Sequence, residues 1–172
     1  GGDNNLIGSN SIAAVVGGGF RNTVGTNAFA AALGGGARNL IETDARNATI
    51  AGGGTNVVRA PFGSIGGGRA NATASADSTV AGGAGNTILD LSPGAAIGGG
   101  GQNAIASSSS YTTVAGGIRN VAGEGFAATI GGGATHRIVT SGEGGSTIAG
   151  GANNTVLGAG SSDTYRLAPG ER

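Results

Sequence analysis

An all-β fold, a parallel β-solenoid of about ten coils with a repeat of 15 to 18 residues, is predicted by three observations on this chain. A phrase built on Gly-Gly-x-x-Asn, with an aliphatic two residues after the Asn, recurs from residue 1 onward. Its glycine pairs begin at Gly1, Gly18, Gly35, Gly52, Gly67, Gly82, Gly99, Gly116, Gly132 and Gly150. A period this short marks a one-dimensional array whose single repeat cannot fold alone. Ahead of each later pair a small residue and an aliphatic alternate with period two, the spacing of a strand. Composition supplies the third observation: with 40 Gly in 172 residues, 3% aromatics and no Trp, Met or Cys, a broad conventional core cannot be built. Charge is nevertheless only 10%, and Ile, Val and Leu return on schedule, which argues against disorder.

Within one coil, the first element is a short strand whose inward face is small then aliphatic. The aliphatics are Val16, Leu33, Ile50, Ile65, Val80, Ile97, Val114, Ile130 and Ile148. The glycine pair then turns the chain, because glycine takes positive φ without steric cost and lets neighbouring backbones approach. Asn follows at Asn5, Asn22, Asn39, Asn56, Asn71, Asn86, Asn103, Asn120 and Asn154, and His136 fills the remaining slot. Stacked coils place these side chains in a column at about 4.8 Å, where amides that both donate and accept can hydrogen-bond along its length. A second reading of the same Asn is local turn geometry, since Asn tolerates the left-handed region. Two residues on, Ile7, Val24, Ile41, Val58, Ile88, Ile105, Ile138 and Val156 predict a second strand, with Thr73 and Ala122 as exceptions.

The remaining stretch of each coil is variable and carries Phe29, Phe62, Tyr111 and Phe126, read as corner fillers. The solenoid is expected over 1–157, starting mid-repeat as a piece of a longer array. Residues 158–172 read as a C-terminal cap or a junction to another module. Two buried aliphatics per coil cannot by themselves offset the ordering of some seventeen residues. Stacking and lateral association are expected to complete the fold, so the chain is expected to be an oligomer or a polymer.

Nine acids balance nine Arg, Lys is absent, and the arginines are scattered along the sequence, so nucleic acid is not an expected partner. No apolar run is long enough to span a bilayer, and no membrane contact is expected within this segment. The stretch Gly98 to Ile105 nearly matches a calcium-binding nonapeptide, but Asn103 stands where that motif needs an aspartate. His136 is the single histidine and reads as an Asn substitute at a turn, which leaves no metal cluster within one chain. The serine run from Ser107 to Ser110 reads as a polar loop. Asp44, Glu42 and Asp77 are the acids worth inspecting for an acid-base pair. No cofactor, metal or catalytic residue is assigned, and the chain is expected not to be an enzyme.

The unit seen in Asp77-Ser78-Thr79-Val80-Ala81-Gly82-Gly83 and Gly145-Ser146-Thr147-Ile148-Ala149-Gly150-Gly151 resembles the head repeats of YadA-like trimeric autotransporter adhesins. It is also similar to Gly/Asn-rich repeats of bacterial surface and phage fibre proteins. The resemblance covers about residues 1 to 157 and implies a left-handed, trimeric, extracellular or cell-surface β-roll that presents flat sides to a receptor or matrix. An adhesive fibre segment or head is therefore the expected function. A filament subunit that polymerises head to tail is the alternative. A third reading is ice binding, on the outward hydroxyl positions Thr49, Ser64, Thr79, Thr113, Thr129 and Thr147, a column broken by Val15, Ala32 and Ala96.

Overall fold

The structure, a computed structural model, describes residues 1–141, 144–159 and 164–165. Two ten-stranded parallel sheets run the length of a β-solenoid, as the alternation predicts. The first sheet is made by the strands that follow the Asn positions, from Leu6–Ile7 to Thr155–Ala159. The second is made by the strands that precede the glycines, from Val15–Val16 to Thr164–Tyr165. Each strand pairs only with its counterparts one coil away, in strict register: Thr23 lies beside Leu40 and Val24 beside Ile41. A third row of isolated parallel bridges, Asp3 to Phe20 to Ala37 and onward to Ala152, stitches the glycine corners together. No helix among the described residues is long and apolar enough to cross a membrane. The cap or junction expected at 158–172 lies, apart from residues 158, 159, 164 and 165, outside the described residues.

Most strands contain only two residues; Leu6–Ile7 in the first coil is exposed throughout, whereas from Thr23–Val24 to Thr147–Ile148 the division of labour is uniform. The first residue points out and the second is buried between the sheets, as in Thr49–Ile50 and Thr87–Ile88. Val24, Ile41, Val58, Ile88 and Ile105 line one side of the core; Leu33, Ile50, Ile65, Val80 and Ile97 line the other. The small residues two places earlier, among them Ala31, Ala48 and Ala95, are buried with them. Thr73 and Ala122, which break the aliphatic series, remain in the interior. The Thr73 hydroxyl is satisfied by Ser78 across the core. Gly63 leaves the space this region needs, since a Cβ there would meet Val58 at 2.7 Å and Thr73 at 3.2 Å.

Backbone bonding explains the sharp corners. Along the sheets the outward residue of each strand donates its N–H to a carbonyl of the following coil, as Ala32 N does to Ala48 O at 2.9 Å. At the glycine corner bonds run both ways: Phe20 N donates to Gly36 O of the following coil at 2.9 Å, and Arg38 N donates back to Phe20 O at 2.8 Å. A left-handed residue stands just before the ladder Asn and turns the chain there, seen at Arg21, Arg38, Thr55, Ala70, Gln102 and Arg119 with φ of 53 to 57°. Non-glycine side chains occupy most of these positions, although such backbone is more often left to Gly or Asn. The glycine that cannot be replaced precedes them. Gly36 has φ +88°, and a Cβ on it would meet Gly53 N at 2.8 Å and Asn39 Nδ2 at 2.9 Å.

The variable stretch is a loop on the opposite edge, joining the first sheet to the second. In 17-residue coils it carries two left-handed residues three apart, as in Asp44 and Asn47 or Ser108 and Tyr111. In the two 15-residue coils it carries one, Phe62 or Asp77. Coil length is therefore set by this loop, and the sheets pass through the change unaltered, with Thr49 beside Ser64 and Ser64 beside Thr79. Phe29, Phe62, Tyr111 and Phe126 sit on this edge and are about half exposed, so they cover the loops without entering the core. Tyr111 and Phe126 meet edge to face at a ring separation of 5.3 Å.

Candidate functional site

The most regular chemistry in the molecule is the Asn column, placed on the inner side of the glycine corner. Asn22, Asn39, Asn56, Asn71, Asn86, Asn103 and Asn120 are all buried. Hydrogen bonds do run along the column, but they do not pass from amide to amide. Asn39 Oδ1 accepts the backbone N–H of Asn56 at 2.9 Å. Its Nδ2 donates to Gly35 O of its own corner at 2.9 Å and to Gly53 O of the next at 3.0 Å. Each side chain thus clamps two successive glycine turns to one another and supplies the partner of the next Asn N–H and of its own corner's carbonyl, while the carbonyl of the next corner, Gly53 O for Asn39, also accepts the Ala37 N–H at 2.9 Å. The left-handed conformation belongs to the residue before it, so turn geometry does not explain the Asn itself.

His136 reproduces half of this pattern. Its backbone N–H donates to Asn120 Oδ1 at 3.0 Å, and its Nδ1 accepts the N–H of Asn154 at 3.2 Å. Nδ1 is thereby used as an acceptor, and Nε2 is buried without a partner. Imidazole has no second donor to match an amide, so the clamp between Gly132 and Gly151 is missing. The last column residue among the described residues is Asn154, whose Nδ2 donates to Gly150 O at 3.0 Å.

A shorter ladder of hydroxyls, not anticipated from the sequence, supports the loop edge. Ser75 Oγ accepts the N–H of Ser92 at 2.8 Å, and Ser92 Oγ accepts that of Ser109 at 3.0 Å while donating to Ala106 O at 2.8 Å. Ser11 does the same for Ala28 at 3.2 Å. The run Ser107 to Ser110 is thus not simply a polar loop, since Ser109 lies in the interior. The signal available in the sequence was a small residue in register, with Ser11, Ala28, Ala45, Ser92 and Ser109 each four places after the aliphatic.

On the outside, Thr49, Ser64 and Thr79 form one unbroken run of hydroxyls on the second sheet. Thr113, Thr129 and Thr147 form another, and Ala96 separates the two. The acids singled out for inspection do not converge. Glu42 forms an ion pair with Arg59 at 3.0 Å, Asp44 is exposed on the same loop, and Asp77 lies two coils away. Among the described residues no three His, Cys, Asp or Glu side chains group as metal ligands, and Asn103 of the calcium-like stretch is committed to the ladder. A shallow depression of about 450 Å³ runs along the glycine edge between Thr55, Arg69, Ala70, Ala84, Gly85 and Gln102.

The chain matches no protein-family model and no curated protein, so its function has to be read from its own geometry.

Proposed function

We propose that this chain is a structural and adhesive element: a rigid, extracellular or cell-surface fibre segment or head, without enzymatic activity, that presents flat solenoid sides to a receptor or matrix and works as a homo-oligomer. The observation that supports it is the register of the coils. Because strand pairs one coil apart align residue for residue, outward side chains fall into straight columns along two flat sheets. Ten coils at ~4.8 Å make a stiff rod about 50 Å long. Polar groups at the glycine edge are used internally by the ladder, and the variable residues lie outside, where a binding surface can change without disturbing the fold.

Electron microscopy of the purified protein, combined with binding to immobilised matrix proteins and to cells, tests this reading. Discrete short rods that bind a surface saturably are expected. Fibres that lengthen with protein concentration would instead establish the head-to-tail filament, and compact particles without rod shape would overturn both. The two hydroxyl runs on the second sheet favour ice binding as a second reading, which is abandoned if thermal hysteresis equals that of buffer.

A further inference from the structure

The arginines that are scattered in the sequence are gathered by the fold. Arg21, Arg38, Arg69 and Arg119 all lie on the glycine edge, where Asp3 is the one acid among the described residues. Glu42, Asp44, Asp77, Asp90 and Glu124 all lie on the loop edge, with Arg46 and Arg59. The glycine edge joins the second sheet to the first, and the loops join the first to the second, so the two edges are on opposite sides of the rod. The chain is neutral overall and polarised across its width.

Heights along the rod also correspond. Arg38 and Asp44 belong to the coil that begins at Gly35, Arg69 and Asp77 to the coil that begins at Gly67, and Arg119 and Glu124 to the coil that begins at Gly116. All six are exposed. Among the described residues the one ion pair is Arg59 to Glu42, which leaves these three acids and three arginines without an ionic partner. Arg119 spends its Nε on Gln102 at 3.0 Å and keeps the rest of its guanidinium free. Five of the six, all but Arg69, sit at left-handed corner positions with φ of 51 to 61°, at the apex of their turns. Arg69 lies one place earlier, in the bridge row.

We propose that a second copy of this chain docks side by side and parallel, its acidic loop edge against the basic glycine edge of the first, with no axial offset. Arg38 then faces Asp44, Arg69 faces Asp77, and Arg119 faces Glu124 of the neighbour. Because the two edges differ, the contact is heterologous, and repeating it gives a closed ring or an open raft of parallel rods. Three exposed pairs spaced by about 10 and 14 Å along the edge give orientation and register more than tight affinity. This inference rests on the self-association included in the proposed function and names its surfaces.

Sedimentation of the whole chain tests it, compared at low and at high salt, with circular dichroism confirming that each variant keeps its β content. The wild type is expected to associate at low salt and to lose at least tenfold in affinity at high salt. The triple variant R38E/R69E/R119E and the triple variant D44R/D77R/E124R should each be monomeric, and an equimolar mixture of the two should associate again. Register is read separately, by introducing R69C in one preparation and D77C in another of this cysteine-free chain. A short bis-maleimide should join them, and should not join R69C to D44C. A wild type that is monomeric at low salt would overturn the self-association itself. Association unchanged in both triple variants, or crosslinking indifferent to register, would overturn these edges while leaving self-association and the rod intact.

Discussion

The coils from Gly18 to Ala106 and those from Ser107 to Ile148 share one backbone plan and differ in how completely their buried polar groups are satisfied. In the first region each ladder Asn makes three bonds, and Thr73, Ser75, Ser78 and Ser92 all find partners. In the second, Thr112 Oγ1, His136 Nε2, Thr140 Oγ1 and Ser146 Oγ are buried without one. Two regions with the same strands and the same glycine corners can therefore differ in stability through interior polar pairing alone. A buried donor or acceptor that lacks a partner costs more than a made bond returns.

The largest way to break the contrast is to remove a clamp from the well-paired region. Asn71→Ala would orphan the Asn86 N–H and the Gly67 carbonyl and leave Gly83 O with the Arg69 N–H alone, and should cost about 2 kcal/mol or more in chemical denaturation. The same change at Asn154, half-buried and bonded through its side chain to Gly150 alone among the described residues, should cost clearly less. Next in size is repair of the weak region. His136→Asn restores a donor able to reach two glycine carbonyls and should raise stability by about 1 to 3 kcal/mol. Thr112→Val and Ser146→Ala remove unpaired hydroxyls at nearly constant shape and should each stabilise by about 1 kcal/mol, measured by thermal or urea unfolding. The smallest effect concerns the loop edge: Asp77→Gly relieves a left-handed residue at φ 54° and should change stability by at most about 1 kcal/mol.

Much of the fold was legible because it depends on residues that recur. The alternation ending in Leu33, Ile50 and Ile65 marked strands, and the glycine pairs marked corners, since no other residue can stand where Gly36 does. The Asn column was legible as a column, but its bonding was not. Sequence spacing places Asn39 above Asn22, whereas the partners of its amide are glycine carbonyls and a main-chain N–H, which carry no side-chain signature. The left-handed positions were hidden for a related reason: Arg38, Phe62 and Tyr111 adopt a conformation their identities disfavour, because bonds to the adjacent coils hold them there. The charged edges were equally hidden, since Arg38 and Asp44 are close in sequence and lie on opposite sides of the rod.

The buried Asn ladder fixes this solenoid, with the loop edge as its adjustable part. Native-state hydrogen exchange followed residue by residue tests that most directly. The backbone N–H groups of Asn39, Asn56, Asn71, Asn86 and Asn103 are predicted to exchange only through global unfolding, more slowly than those of Asn154 and of loop residues such as Asp44 and Ser108. Exchange of the ladder N–H groups at the rate of the loops would contradict it.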